Sequence, residues 1–408
     1  MRIAALSGWT NQQRSVVIAS FLGWTLDAFD FFLMVFVLKD IAEEFGTDIK
    51  TVTFAILLTL AMRPIGAYLF GRAADHWGRR PTLMVDVLLY SLIEFLSAFS
   101  PNLTVLLILR ALYGIAMGGE WGVGASLTME SIPPHARGIV SGLLQSGYPT
   151  GYLFASVIYG LLFPLIGWRG MFMVGVLPAL LVLYIRRNVP ESPSWRRPTE
   201  SNTFSILKAH WRLGLYAVVL MTAFNFLSHG TQDLYPTFLQ VQHGFSPREV
   251  GTIAVIYNIG AILGGIVCGS LSERLGRRRT IILMALLCLP VLPLWAFSSG
   301  VATLALGSFL MQFMVQGAWG VVPAHLNELS PDDARGTFPG FVYQLGNLLA
   351  SANATIQAAM AVYFGGDYGL ALALVAGTMA IAIGIMTALG VEAKGVAFGT
   401  ARDQPARA

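Results

Sequence analysis

The chain has 408 residues, of which 55% are hydrophobic and only 12% are charged, with a net charge of +4. Soluble proteins are about one quarter charged, so this composition excludes a soluble multidomain enzyme. Because a membrane-spanning helix takes about 20 residues, the length accommodates roughly a dozen spans with short loops. The mean hydropathy of +0.65 agrees with a polytopic membrane protein.

Apolar runs of spanning length fall into two sets of six. The first set comprises 16–38, 52–74, 81–99, 103–129, 138–160 and 166–186. The second set comprises 213–236, 249–272, 279–297, 301–325, 336–363 and 368–391. We therefore predict an all-α membrane protein of twelve transmembrane helices in two pseudo-symmetric six-helix bundles, with domains 1–188 and 212–408 and a cytoplasmic linker at 189–211.

The basic residues predict the orientation of these spans. If the N-terminus is cytoplasmic, 20 of the 26 Lys and Arg residues fall in cytoplasmic segments and four on the opposite face. This bias places both termini in the cytoplasm, as in a multi-pass protein of the plasma (inner) membrane. The positive net charge therefore reflects topology and membrane lipid, and no nucleic-acid partner is expected. A monomer is the expected state.

Three segments recur at one offset of 198 residues, which indicates an internal repeat. The first is Gly71-x-x-x-Asp75-x-x-Gly78-Arg79-Arg80, repeated as Gly269-x-x-x-Glu273-x-x-Gly276-Arg277-Arg278. The others are Gly119-Glu120-Trp121-Gly122 with Gly317-Ala318-Trp319-Gly320, and Glu130 with Arg137-Gly138 against Glu328 with Arg335-Gly336. Two halves related in this way describe a transporter that binds its substrate at their interface.

The Gly-x-x-x-Asp-x-x-Gly-Arg-Arg pattern resembles the signature of the major facilitator superfamily. The resemblance covers essentially the whole chain and implies alternating access by rocking of two bundles. It also implies that these loops latch one face closed, through Asp75, Arg79, Glu130, Arg137, Glu273, Arg277, Glu328 and Arg335. A second interpretation, that these charges only fix the topology, is compatible with the first.

Of the ionisable residues inside the first, second and fourth predicted spans, four are candidates for function, since each charge there costs about 2.5–3.5 kcal/mol. Asp27 and Asp30 share one face of the first helix and form a candidate proton site, or else one of them contacts a neighbouring helix. Their Asp-x-x-Asp spacing also resembles the first helix of acid–proton symporters. Arg63 is expected near mid-membrane, as a substrate-carboxylate anchor or in an internal salt bridge. Arg110 matches the superfamily's fourth-helix arginine linked to proton coupling, although a structural role is also open.

The seventh predicted span carries the densest set of polar residues. Within 13 residues it holds Asn225, Ser228, His229, Thr231, Gln232, Asp233 and Thr237. Their spacing predicts a polar stripe facing the bundle interior, able to bind a small carboxylate. The string resembles the seventh-helix signature of the Jen family of monocarboxylate–proton symporters, related to sialate–proton symporters. This resemblance implies substrate roles for Asn225, Ser228, His229 and Gln232 and a coupling role for Asp233.

The residues and the resemblance together predict a proton-coupled symporter that imports a short monocarboxylate of the lactate or pyruvate type. Its partners are a small organic acid anion and a proton, with no cofactor, no metal and no enzymatic activity expected. A larger organic acid, aromatic or sialate-like, is the alternative, and a non-transporting membrane sensor is a further one. Weaker cavity candidates are Gln145, Tyr148, Gln312, Gln316, Gln344 and Asn347. Structural roles are expected for Asp86, Glu94 and Glu120, and packing roles for Trp24, Trp121 and Trp319.

Overall fold

The structure, a computed structural model, describes residues 9–47, 49–195, 203–396 and 398, and all of its regular elements there are helices. The first half comprises α1 (Asn11–Phe36), α2 (Leu38–Glu44), α3 (Ile49–Trp77), α4 (Arg79–Ser97), α5 (Leu103–Met117), α6 (Glu120–Ser131), α7 (Arg137–Gln145), α8 (Gly147–Val174) and α9 (Ala179–Asn188). After α10 (Thr203–Ala209), the second half comprises α11 (Trp211–Gln232), α12 (Tyr235–Val241), α13 (Pro247–Leu275), α14 (Arg277–Ala296), α15 (Val301–Trp319), α16 (Val322–Leu329), α17 (Phe338–Ala350), α18 (Asn353–Tyr363) and α19 (Tyr368–Leu389). Part of the predicted linker, residues 196–202, lies outside the described residues.

Eight helical segments of the described chain are long and apolar enough to cross a membrane, and a bent pair at 134–174 makes a ninth. The remaining predicted spans correspond to shorter or more polar helices. The third is α4, which carries Asp86 and Glu94, the sixth ends in the 10-residue α9, and the eleventh is divided into α17 and α18. The count of twelve spans therefore stays a prediction, whereas a multi-pass all-helical membrane protein is clear.

The repeat seen in the sequence is also present in the structure. Gly78 and Gly276 lie at the tight turns directly before α4 and α14. Their φ angles are 106° and 94°, a conformation that favours glycine. In each half, the arginine directly after this glycine pairs with a buried glutamate. Arg79 pairs with Glu130 and Arg277 pairs with Glu328, both at 3.0 Å. The end of the bundle that carries these two turns is called the latch end below.

The two halves meet closely at the latch end because glycines line the crossing. A methyl group added at Gly142 of α7 would overlap the Gly265 carbonyl oxygen of α13, and one added at Gly138 would overlap the Gly269 carbonyl oxygen. The symmetry-related crossing joins α3 to α17, where a methyl group added at Gly71 would overlap the Thr337 backbone, and Gly122 of α6 also lies against Gly340 of α17. Glycine at such positions lets two helix backbones approach one another directly.

Both described ends of the chain also lie at the latch end. The Gln13 side chain, near the start of α1, donates a hydrogen bond to the Ser131 carbonyl at 3.2 Å. The Phe398 ring lies against the Arg137 guanidinium, 3.5 Å from ring centre to Cζ. This arrangement agrees with termini on one side, and the compartment that they face remains a prediction.

Candidate functional site

A cavity of about 440 Å³ lies between the two halves, and its wall contains most of the predicted substrate-binding and proton-coupling residues. From the first half it is lined by Trp24, Phe31, Phe32, Val35, Ile56, Leu60, Arg63, Gln145, Tyr148, Pro149 and Tyr152. From the second half it is lined by Asn225, Ser228, His229, Gln232, Asp233, Pro236, Tyr257, Asn258, Ala261, Gln316, Trp319, Tyr343 and Asn347. All five predicted substrate-binding residues are therefore in its wall.

Arg63 is the guanidinium in the wall of this cavity. It projects from the middle of α3, and its side chain is only 4% exposed. Its Nη2 is 4.0 Å from the Asp27 Oδ2 of α1, and its Cζ lies 5.3 Å from the centre of the Phe31 ring. The geometry is therefore compatible with both predicted roles of Arg63. The guanidinium is close enough to a buried carboxylate for an internal salt bridge, and it also reaches the cavity, where it can bind a substrate carboxylate.

The polar stripe of α11 faces Arg63 from the other half. His229 Nδ1 is 3.2 Å from Asp233 Oδ2, and its Nε2 is 3.2 Å from Asn347 Oδ1. The imidazole is therefore held between a carboxylate and an amide. The His229 side chain is 30% exposed and the Asp233 side chain 39%, so both are accessible from the cavity.

Amide side chains hold the rest of this wall in place. Gln232 donates to Ser228 Oγ at 3.2 Å and to Gln312 Oε1 at 3.1 Å, and Gln316 also faces Ser228 Oγ at 3.3 Å. Gln312 itself is 1% exposed and bonds Thr231, so it supports the wall from behind. Gln344 is also buried and outside the cavity lining.

The other predicted coupling residues lie behind the cavity wall rather than in it. Asp27 is 1% exposed and Asp30 is completely buried. Arg110 of α5 is 1% exposed, and its Nη2 is 2.6 Å from Glu94 Oε2 of α4. Asp27 therefore lies outside the cavity lining and pairs with Arg63, which is part of it, and Arg110 has an internal carboxylate as its partner.

Of the aromatic part of the cavity lining, the sequence identified only Tyr148. Trp24 and Tyr148 stack with ring centres 5.6 Å apart, and Trp319 meets Tyr343 edge-on at 5.6 Å. Of the three tryptophans expected to serve in packing, Trp24 and Trp319 line the cavity, whereas Trp121 packs between Trp24 and Tyr343. Aromatic residues are equally common in cores, so their number alone carried no signal.

The predicted latch residues meet at the latch end in two reciprocal contacts. Asp75 of the first half accepts hydrogen bonds from the Gly336 N–H at 2.7 Å and the Thr337 N–H at 3.1 Å, next to the start of α17. Glu273 of the second half accepts from the Gly138 N–H near the start of α7. Each carboxylate thus lies at a helix N-terminus of the other half, where negative charge is stabilised.

Buried ion pairs reinforce this end. Arg137 lies 3.6 Å from Glu328 of the other half, and Arg335 lies 3.9 Å from Glu130. Arg137 also donates to the Val396 carbonyl at 2.8 Å. The hydrogen bonds and ion pairs between the halves cluster here, so the cavity is closed on this side. No group of His, Cys, Asp and Glu side chains in the described residues is arranged to hold a metal ion.

Comparison with known proteins agrees with this geometry. The sequence profile of the Major Facilitator Superfamily matches residues 20–247 and 218–405, so both halves are covered. The chain belongs to the Major Facilitator Superfamily. The resemblance that the repeated loops indicated is therefore confirmed.

Among its superfamily relatives is a carboxylic acid transporter protein homolog of Saccharomyces cerevisiae, 30% identical over 88% of this chain. The match covers 63% of the yeast protein's length. The sialic acid transporter NanX of Escherichia coli is 28% identical over 95% of this chain and 97% of its own. Among solved structures, the proton:xylose symporter XylE has a TM-score of 0.76 with 17% identity, over 94% of this chain and 97% of its own, which establishes the shared fold.

Proposed function

We propose that the protein is a proton-coupled symporter that imports an organic monocarboxylate across the plasma (inner) membrane by alternating access. The observation that carries the proposal is Arg63, a buried guanidinium that lines the cavity and is 4.0 Å from Asp27. A buried cation requires an anionic partner. Superfamily relatives named for carboxylic acid and sialic acid transport support an organic acid as that anion.

The shared guanidinium supplies a coupling mechanism. When a substrate carboxylate binds Arg63, Asp27 loses the only ion pair that its described surroundings provide. An unpaired buried carboxylate is strongly disfavoured, so Asp27 takes up a proton. Arg63 and the bound carboxylate then form a neutral pair beside the protonated Asp27, and the two halves can rock so that the latch end, which we place in the cytoplasm, opens.

Two classes of substrate, a short acid and a bulkier acid, are candidates. The α11 string favours a short acid of the lactate or pyruvate type, which can bind Arg63 and the His229 side of the wall. A cavity of about 440 Å³ with aromatic rings on both sides favours a bulkier acid, since sites of roughly 300–1,000 Å³ take ligands of drug size. Both candidates place the carboxylate at Arg63.

Uptake of labelled L-lactate into proteoliposomes, with and without an inward proton gradient, tests the proposal. We expect gradient-stimulated uptake, and its inhibition by unlabelled benzoate and sialate ranks short against bulky acids. If lactate is not taken up, the same assay with labelled benzoate and sialate follows. Absence of a gradient effect on every acid contradicts proton coupling, and full activity of both Arg63→Ala and His229→Ala contradicts the site.

A further inference from the structure

In the interior of the first half, between the latch end and the opposite end of the bundle, more acidic than basic groups are buried. The acidic groups, each at most 1% exposed, are Asp27, Asp30, Asp86, Glu94 and Glu120, and the basic ones are Arg63 and Arg110. Asp27 and Glu94 pair with the two arginines. In the described part of the chain, no basic nitrogen lies within 4.0 Å of the other three, and their oxygens have no hydrogen-bond partner. Buried carboxyl groups in such a setting are held as neutral acids.

These groups form a connected series rather than isolated sites. Glu120 of α6 lies against α1 at Gly23, where an added methyl group would overlap its Oε1, and Gly23 is one turn from Asp27. Helix α6, which carries Glu120, packs against both α1, which carries Asp27, and α4, which carries Asp86. Glu120 therefore lies between the carboxyl group behind the cavity and the one on α4.

On α4 the series continues as a buried polar stripe. Its members recur at spacings of three and four residues, which places them on one helix face: Thr82, Asp86, Tyr90, Glu94 and Ser97. At 1.5 Å per residue, Asp86 and Glu94 are about 12 Å apart along the helix. Asp86 is the nearer of the two to Gly78 and thus to the latch end.

Two tyrosine hydroxyl groups complete the stripe. Tyr90 and Tyr113 are completely buried, with ring centres 6.2 Å apart. The Tyr113 ring centre lies 4.4 Å from the Cζ of Arg110, the arginine that pairs with Glu94. Neither hydroxyl has a hydrogen-bond partner among the described residues. Carboxyl and phenol groups can each donate and accept a proton.

The repeat argues against a packing role for the series. At the offset of 198 residues, Met284, Cys288 and Leu292 stand where α4 has Asp86, Tyr90 and Glu94, and Ala318 stands where α6 has Glu120. Met284 and Cys288 belong to the apolar core of the second half. The same fold therefore packs without ionisable groups at these positions.

Building on the proposed proton-coupled transport, we propose that Glu120 and Asp86 relay the coupling proton from Asp27 toward the latch end, through the interior of the first half and apart from the substrate cavity. Asp86 releases its proton at that end, Glu120 passes its proton to Asp86, and Asp27 passes its proton to Glu120. Each O–H bond broken on one carboxyl group is re-formed on the next. Asp27 then becomes anionic and pairs again with Arg63 after the substrate has left.

The relay separates two activities that can be measured in the same proteoliposomes. Exchange of labelled for unlabelled substrate does not require the proton to leave, whereas net uptake driven by a proton gradient does. We expect Glu120→Gln and Asp86→Asn to lower net uptake by at least about tenfold and to leave exchange unchanged. Glu249→Gln, which changes a carboxylate at the protein surface, is the matched control and should leave both activities unchanged.

The outcomes are distinguishable. The relay is overturned if both variants show net uptake at the wild-type rate. It is also overturned if exchange and net uptake fall equally, or if neither variant yields folded protein. Each of these results assigns the residues a role other than proton transfer. If the wild-type protein itself shows no response to the gradient, the proposed function fails instead. Arg63→Ala, which removes the anchor, is expected to lose both activities.

Discussion

Arg63 lies where one guanidinium can bind two anions in turn. It reaches the cavity, yet it is 96% shielded from solvent and is within 4.0 Å of Asp27. At this depth the exchange of one carboxylate for another changes the protonation of the one released, because an uncompensated charge costs several kcal/mol. Binding and proton uptake therefore meet at a single side chain.

We expect Arg63→Lys to raise the KM for gradient-driven uptake by about tenfold, equivalent to about 1.4 kcal/mol. Lysine keeps the positive charge but lacks the planar fork that binds a carboxylate through two donors. Initial rates in proteoliposomes over a range of substrate concentrations measure the change. Arg248→Lys, at an exposed position, is the control, and an unchanged KM in Arg63→Lys would show that the fork does not hold the substrate.

Single residues were predictable where polar or charged types interrupt an apolar run. Arg63 was identified as an isolated charge, and Asn225 and His229 were identified as members of a polar stripe; all three line the cavity. Trp24 and Trp319 were not, since an aromatic residue in an apolar helix has the same sequence signature in a core as in a binding site. Glu120 was noticed, but its neighbours Asp27 and Asp86 come from different helices, and only the fold brings them together.

At the scale of helices, α7 of the first half closely approaches α13 of the second half. We expect Gly142→Ala to abolish net uptake and to destabilise the latch-closed arrangement by about 1–3 kcal/mol, because the new methyl group meets the Gly265 backbone and no side chain can move aside. Uptake and thermal unfolding of the purified protein measure the two effects. Gly214→Ala is the control, since nothing lies within 4 Å of a methyl group there. Normal uptake by Gly142→Ala would contradict the tight crossing.

A second element-scale contact joins α2 to the bend in α8. Arg169 Nη2 is 2.7 Å from Glu44 Oε1, and Trp168 Nε1 donates to Glu44 Oε2 at 2.5 Å. Burial raises the pKa of Glu44, but the hydrogen bonds from Arg169 and Trp168 and the charge of Arg169 lower it by more, so this pKa lies below its usual value of 4.5. The contact therefore stabilises the fold above pH 4.5 and loses this effect as the pH falls through the lowered pKa.

We expect Glu44→Gln to lower thermal stability at pH 7 by an amount that corresponds to at most about 1 kcal/mol, as for exposed ion pairs. The difference from the wild-type protein should narrow as the pH falls below 4.5, because the wild-type carboxylate is then protonated as well. Melting temperatures in detergent from pH 7 to pH 3.5 give the comparison. A difference that widens toward low pH would contradict the assigned sign.

Helix positions were predictable to within a few residues, whereas breaks inside them were not. The sequence placed one span at 336–363, yet the chain forms α17 and α18 with a break at residues 351–352. It correctly separated two spans near residue 160, where the chain bends by 104°, but it placed a single span at 166–186, where α8 ends at Val174 and α9 begins at Ala179. Hydropathy reports apolar content, and both segments stay apolar through the break.

At the scale of the whole molecule, the reciprocal contacts of Asp75 and Glu273 favour closure of the latch end. We expect Asp75→Asn to shift the population toward the latch-open form by about 1–2 kcal/mol, a factor of roughly 5–30, because the amide lacks the charge that the α17 N-terminus stabilises. A Ser141→Cys reporter measures it, since Ser141 is buried and its Oγ accepts from the Ala324 N–H of the other half.

The reporter is placed in a chain whose two buried cysteines have been replaced by Cys268→Ser and Cys288→Ala. A faster reaction of the reporter with a water-soluble thiol reagent is expected in the Asp75→Asn variant. Asp333→Asn, an exposed change at the same end, controls for charge at the surface. An unchanged labelling rate in Asp75→Asn would show that the carboxylate does not bias the two forms.

The two halves share a fold but not a chemistry. Between the two ends of the bundle, the buried carboxyl and guanidinium groups lie in the first half, whereas the cavity wall of the second half is built from amides, a hydroxyl, aromatic rings, His229 and the more exposed Asp233. Changes in α11 can therefore alter which acid fits without disturbing the buried carboxyl groups of the first half. Such a chain can diversify through changes in one half alone, so related transporters can keep the same coupling to the proton gradient while their substrate changes.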